Sequence, residues 1–480
     1  MNRRALVSVL CAQLLLVSLA ACGEAGGDAD ADSDADTDSD SDSDADPLYF
    51  AAEGTIYTRD GHALYLRGVN LSGQAKGAAD HLYTVDQAEI DALLDGGMNS
   101  VRMLTFWKAI MPDGPEAIDE DYLDAFAERV QLLTQAGLYV IVDMHQDLWG
   151  VPFAAHGAPD WACPDEIKQG YEPGSPWWVN YTKPQVMGCF DNFYDSAELR
   201  GAFARAWGAL AAAVCDHERV LGWDPLNEPH PGTRLADPQV DNEVLLPLYL
   251  EVLAEVEAAC PGRLFFLEPS ASFTMGLAEP IVVPAAHRER VVLAPHFYPP
   301  EVHEPSDTEG YEPDLEALRT EVTDLFQAYL DAGIPVWVGE FGGITTNPNF
   351  DLYLQDLHTV FLEQRISSAL WDWYRGDGGF AFLDAEGQPK DVFDAVYRTP
   401  VPTRLPGKPS SIDADWGAGT TGLEVVCMDG RRVELLVPTS EGSCNATPAG
   451  ALEPLAADRG WRAFRCTGDG PISLQCSAGP

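Results

Sequence analysis

The sequence predicts an α/β fold: a (β/α)8 barrel followed by a small antiparallel β-sandwich. Three observations point to it. Between about residue 50 and residue 398, short apolar runs alternate with stretches of helical period. Most of those runs are apolar throughout, as parallel strands covered on both faces must be. Beyond Pro400 the texture changes to short strands broken by Gly, Asn and Asp, the mark of an antiparallel module.

Eight runs read as barrel strands: 63–70, 98–104, 138–144, 220–225, 264–268, 291–296, 336–340 and 369–373. Amphipathic helices are expected over 121–135, 246–259 and 315–332. Gly137 and Gly333 follow two of these helices directly before a strand, where a left-handed residue closes a helix. Eight such units make a barrel. A doubly wound sheet is the alternative, but Gly68-Val69-Asn70 after the first run is not the Gly-rich turn it would need. The Pro-rich stretch 400–409 reads as a linker, and 423–427, 432–437 and 461–466 as strands of the last module.

The chain start reads as an export signal over residues 1–21. Arg3 and Arg4 precede an apolar stretch from 5 to 20 that is too short for a membrane span. Leu19-Ala20-Ala21-Cys22 resembles a bacterial lipobox, which implies lipidation of Cys22 and an exported lipoprotein at the outer membrane, cell surface or outside the cell. An ordinary signal with an incidental cysteine is the alternative. Residues 22–47 form an acidic tether, with Asp at every second position from 28 to 46, whose self-repulsion keeps it extended. A calcium site there lacks the Gly-turned loop such sites use. The barrel is assigned to 48–399 and the sandwich to 400–480, and the protein is expected to be a monomer.

The formal net charge of −47 excludes a nucleic-acid partner, which would need a basic face. It is compatible with neutral substrates such as sugars. Of ten cysteines, those outside the signal and the lipobox suggest disulfides in an exported protein. Proximity favours Cys163–Cys189, Cys215–Cys260 and two bridges among Cys427, Cys444, Cys466 and Cys476. No paired CxxC spacing and no HExxH occurs, so neither a metal nor a cofactor is expected.

In a barrel, chemistry sits at the carboxyl ends of the strands. There the sequence places Arg102, then His145 with Asp147, then Asn227-Glu228-Pro229, His296 with Tyr298, Glu340, and Trp371. One polar residue at a strand end can cap a helix; six strands ending so together point to a site. Two carboxylates facing each other across a barrel mouth suit glycoside hydrolysis, in which one protonates the leaving oxygen and the other attacks the anomeric carbon. Glu228 is read as the acid/base and Glu340 as the nucleophile, held ionised by Arg102 and the Tyr298 hydroxyl. Asn227 is placed to meet the sugar 2-hydroxyl, Trp371 to offer a face to the ring, and His145 and His296 to orient hydroxyls or acids. Glu268 ends the fifth strand and is a rival carboxylate, read as a supporting or substrate-contacting group.

The ordered set Arg102, His145, Asn227-Glu228, His296 with Tyr298, Glu340 and Trp371 resembles glycoside hydrolase family 5, over residues 50–398. That resemblance implies retaining (β/α)8 enzymes with the acid/base on strand four and the nucleophile on strand seven. Within the family, Asp143-Met144-His145-Gln146-Asp147, Phe190-Asp191-Asn192-Phe193-Tyr194 and Leu226-Asn227-Glu228-Pro229 look like endoglycoceramidases. Those enzymes cut between a glycan and ceramide and carry a C-terminal β-sandwich. The resemblance implies that Lys76, His145 and Asp147 contact the first sugar. It departs at residues 154–179, a Gly-, Pro- and Trp-rich stretch around Cys163. The alternatives are a β-glucanase or mannanase of the same family, and a non-catalytic glycan- or lipid-binding surface protein.

Overall fold

The computed structural model describes residues 47–480 apart from 307, 439–440, 456–459 and 480. The export signal, Cys22 and the tether lie outside the described residues, except for Pro47. Residues 47–480 form one unit. Among the described residues no helix is long and apolar enough to cross a membrane.

The barrel strands are β1 (Arg67–Leu71), β2 (Ser100–Thr105), β3 (Tyr139–Met144), β4 (Val220–Asp224), β5 (Leu264–Leu267), β6 (Val291–Leu293 and His296–Phe297), β7 (Trp337–Phe341) and β8 (Ser367–Leu370). All pair in parallel and in sequence order. β8 returns to β1 through Ser368 opposite Arg67, so the sheet closes. Pro295 lies in the gap between the two parts of β6, and Leu293 still bridges to Val336 beside β7.

Strand periodicity positions the site. On β3, Tyr139 and Ile141 belong to the apolar cluster inside the barrel, and the same face continues upward to Asp143 and His145. β5 runs Leu264, Phe266, Glu268 and β6 runs Val292, Ala294, His296 in the same manner. Val140, Val142, Phe265 and Leu293 face the outer helices instead. The barrel floor is therefore apolar and its upper end polar. An N-terminal hairpin, Tyr49–Ala52 with Thr55–Thr58, closes the floor with Tyr49, Ala51 and Ile56.

The outer helices form as their apolar period requires. Glu120–Gln135 buries Tyr122, Leu123, Phe126, Val130 and Leu133, and its N-cap Asp119 accepts from the Tyr122 amide. Leu315–Asp331 is capped in the same way by Asp314, and Leu246–Ala259 has the expected bounds. Gly137 and Gly333 stand just past their helices with φ of 96° and 74°.

Two expectations need correction. The run 63–70 is not one strand: Ala63–Leu64 pairs antiparallel with Val401–Leu405, and only Arg67–Leu71 enters the barrel. The stretch 400–409 is no free linker, because Val401–Leu405 also pairs with Arg432–Leu436. Pro402 is tolerated because the short partner Ala63–Leu64 meets only Arg404 and Leu405. The sheet holding these strands also contains the N-terminal hairpin, Trp461–Cys466 and Leu452–Pro454. A second sheet of Ser411–Asp415, Thr420–Cys427, Gly470–Ser477 and Ser443–Thr447 accompanies it. Leu405, Leu423, Val425, Val433, Leu435, Ile472 and Leu474 form the shared core. Cys427–Cys466 ties one sheet to the other, and Cys444–Cys476 ties neighbouring strands. Cys163–Cys189 and Cys215–Cys260 are also bonded, as proximity suggested.

Arg67 joins the barrel base to the segment that leads into the sandwich. Its guanidinium donates to the carbonyls of Gly97, Val396, Thr399 and Tyr397 at 2.9–3.1 Å. Burial pulls its pKa down to about 10, so it stays charged at neutral pH. Arg67→Met strands those carbonyls and is expected to cost about 3 kcal/mol in denaturant unfolding. Its effect on kcat of the folded protein should be small. A loss under about 1 kcal/mol would mean water replaces the clamp.

Candidate active site

Arg102 organises the upper end of the barrel. It is fully buried. Nε donates to Asp224 Oδ2 at 2.8 Å, and Nη1 to Asn70 Oδ1 at 3.1 Å and Glu340 Oε1 at 2.7 Å. Nη2 donates to Asn227 Oδ1 at 2.9 Å and lies 3.0 Å from Asp143 Oδ1. Burial opposes its charge, but Asp143, Asp224 and Glu340 outweigh it and hold the pKa well above the ordinary arginine value. The carboxylates around it are too many for one cation. Burial accordingly raises Asp143 and Glu268 well above the usual range, and raises Asp224 as well.

Glu340 receives a donor on each oxygen: Arg102 on Oε1, and the Tyr298 hydroxyl on Oε2 at 2.9 Å. Burial pushes its carboxyl up, while His296 and Arg102 pull it back. Two donors aimed at a carboxylate favour its ionised form. Glu228 is placed differently. Its side chain is 40% exposed, and Oε1 lies 3.0 Å from His296 Nδ1. Burial and then the Asp147 charge raise its pKa, which favours a proton at rest. Burial holds His296 down at about 4, so its ring is neutral near pH 7. One oxygen of Glu228 and one of Glu340 lie within 4.8 Å of each other, and His296 Nδ1 stands 3.0 Å from Glu228 Oε1 and 3.5 Å from Glu340 Oε2. Retaining glycosidases hold their carboxyl groups roughly 5–5.5 Å apart, and inverting enzymes roughly 6.5–9.5 Å apart.

The remaining predicted residues form one connected group. Trp371 stacks on His145 with ring centroids 5.6 Å apart, and Lys76 Nζ stands 4.7 Å over the Trp371 ring. Lys76 pairs with Asp147 Oδ2 at 3.0 Å. His145 Nδ1 meets Asp143 Oδ2 at 2.8 Å. Asn227 is held at the strand end: its Oδ1 accepts from Arg102 and its Nδ2 donates to the Gln146 carbonyl at 3.1 Å.

Several functional groups escaped the sequence reading. Gln146 stands out in the sequence only as part of the segment 143–147. Its Nε2 donates to the carbonyls of Asn227 and Glu228 at 2.8 and 2.9 Å. Glu228 has φ of 42°, a region in which a side chain is strained. Gln146 splints that strained turn and so aims the carboxyl. Asp143, Asp224 and Asn70 were also missed. The alternation Tyr139, Ile141, Asp143, His145 was a signal for the first; no local signal marked Gln146. Ser72 donates to Asp372, whose carboxyl burial raises to about 6. Gln146→Ala is expected to lower kcat roughly 100-fold with little change in unfolding midpoint, since misplacing a reacting group by about 1 Å costs that much. Equal losses in stability and kcat would give Gln146 a merely structural role.

The family model for cellulase, glycosyl hydrolase family 5, matches residues 58–377. Endoglycoceramidase I of Rhodococcus hoagii (strain 103S) is 27% identical over 449 residues, covering 86% of this chain and 85% of that one. Endoglycoceramidase of Cyanea nozakii is 26% identical over 266 residues, covering 48% of this chain and 52% of its own length. The solved structure of endo-glycoceramidase II from Rhodococcus sp., with a five-membered iminocyclitol, aligns with a TM-score of 0.75 at 25% identity, covering 87% of this chain and 98% of that one. Its complex with ganglioside GM3 aligns with a TM-score of 0.74. A closed parallel barrel, an Arg-bound glutamate on β7 and a strained glutamate beyond β4 accompany a family model that spans most of the barrel: the chain belongs to glycoside hydrolase family 5.

Proposed function

We propose that this O-glycosyl hydrolase releases the intact glycan from a glycosphingolipid by double displacement, with Glu340 as nucleophile and Glu228 as acid/base. The short separation of their oxygens carries the mechanism. In the first step Glu340 attacks the anomeric carbon while Glu228 passes its proton to the leaving oxygen, giving a glycosyl ester on Glu340 and a free alcohol. Esterification removes the Glu340 charge. Glu228, now ionised, takes a proton from water, whose oxygen attacks the anomeric carbon and frees Glu340. Lys76, Asp147, His145 and Trp371 are placed to seat the first sugar.

Likeness to endoglycoceramidases across barrel and sandwich alike supports a lipid leaving group. So does the leaving-group side of Glu228. Tyr181, half-buried beside Glu228 and Asp147, accepts from the Leu148 amide at 3.0 Å and stacks on His230 with centroids 5.4 Å apart. Trp177 reaches Tyr181 at 6.1 Å and is 56% exposed, and Trp178 is 43% exposed. This is an aromatic, partly uncovered margin where an aglycone would leave. Export with a lipid on Cys22, at the outer membrane or cell surface, and action as a monomer complete the reading; the signal and lipobox support the first. A family 5 β-glucanase or mannanase is the second reading, supported by the likeness to Endoglucanase 1 of Ruminococcus albus, 23% identical over 302 residues.

Incubation with a fluorescent ganglioside should release the whole oligosaccharide, and proton NMR should show the β-anomer forming first. Hydrolysis of cellulose or mannan alone would sink the glycolipid reading; first-formed α-anomer would sink double displacement. Glu340→Gln should remove turnover by several orders of magnitude without unfolding the protein. The alkaline limb of kcat/KM follows loss of the Glu228 proton, and the Asp147 charge holds that pKa up. Asp147→Asn should therefore move the alkaline limb to lower pH and leave the acid limb less changed. An unmoved alkaline limb would contradict the assignment of Glu228 as acid.

A further inference from the structure

In a chain of net charge −47, a half-buried lysine without a carboxylate calls for a reason. Lys108 stands just beyond β2, on the short helix Trp107–Ile110. Among the described residues it enters no ion pair, whereas Lys76 is paired with Asp147 at 3.0 Å. Its partner is a neutral ring: Nζ lies 3.4 Å from His156 Nδ1. Burial holds His156 at about 4, so Nδ1 is free to accept from the ammonium. Two carboxylates act on this group from nearby, Asp147 and Asp80. Asp147 is occupied by Lys76, and Asp80 accepts from the Leu82 amide at 3.2 Å.

The group adjoins the sugar side of the site. Buried Phe106 is its hub, with ring centroids 5.7 Å from His81, 5.6 Å from His156 and 6.2 Å from His145. Lys108 Nζ lies 5.7 Å from the same ring. His145 in turn stacks on Trp371, so Lys108, His156 and His81 lie one ring beyond the first-sugar position. Among the described residues, His81 Nδ1 is buried without a hydrogen-bond partner. The arrangement is also preorganised. The Lys108 amide donates to the Gly157 carbonyl at 2.9 Å, and the Asp147 amide to the His156 carbonyl at 2.8 Å. Gly157 has φ of 131°, and a Cβ there would stand 2.6 Å from Gln146 Cβ, so only glycine lets this loop lie against the catalytic splint.

We propose that Lys108, held by His156 and flanked by His81, is a specificity-determining anion subsite that reads a carboxylate or sulfate carried on the glycan beyond its first sugar. An ammonium with spare donors, partly shielded from solvent, binds an anion more strongly than an exposed one does. The proposal rests on the glycosidase reading of the site but not on a lipid leaving group.

Binding to the Glu340→Gln protein tests it without requiring turnover. Calorimetric titration with lactose, 3′-sialyllactose and 3′-sulfolactose should show at least one anionic sugar binding about tenfold tighter than lactose. Adding Lys108→Gln, or His156→Gln as a second variant, should abolish that preference and leave lactose affinity within about threefold. Preference for the sialylated sugar alone identifies a carboxylate reader, and for both a general anion reader. Equal affinity for all three sugars, or a preference that survives both variants, overturns the proposal. Failure to cleave any glycolipid while the anion preference persists would count against the lipid aglycone and leave the subsite standing.

Discussion

One buried guanidinium sets the terms for the rest of the site. Arg102 donates to Asp224, Glu340, Asn70 and Asn227 and stands 3.0 Å from Asp143. Through those contacts it links the ends of β1, β2, β3, β4 and β7, and it fixes which carboxyl is charged. Asp143 and Glu268, buried among other carboxylates, are driven well above the usual carboxylate range. Glu340, also pushed up by burial, takes a donor on each oxygen, which favours its ionised form. Glu228, beyond the reach of the guanidinium hydrogen bonds and raised by burial and the Asp147 charge, is left to carry a proton. The division of labour between two identical side chains thus follows from position relative to one cation.

Much of this was legible because a barrel strand writes its inside face at every second residue. Tyr139 and Ile141 on the floor point to Asp143 and His145 above them, and Ala369 points to Trp371. Strand identity followed from apolar runs. Strand ends did not: residues 63–70 are uniformly buried, yet Leu64 and Arg67 belong to different sheets. Apolarity reports burial, not the partner. Val401–Leu405 was hidden for the opposite reason, since prolines mark a linker unless the neighbouring strand is too short to need their missing N–H groups.

Least legible were contacts between distant loops. Gln146 steadies Glu228 from 82 positions away, and the Lys108 ammonium meets His156 across 48. Neither pairing leaves a local pattern. Asn227 is tied in the same manner, to Arg102 and to the Gln146 carbonyl. Motif residues located the site; the carbonyls and neutral rings around them explain its shape.

The most direct test of this account is to trap the intermediate with a 2-deoxy-2-fluoro glycosyl fluoride and map the modified peptide by mass spectrometry. The account predicts a single glycosyl ester on Glu340. An adduct on Glu228 or Glu268, or steady turnover without any covalent species, would contradict it.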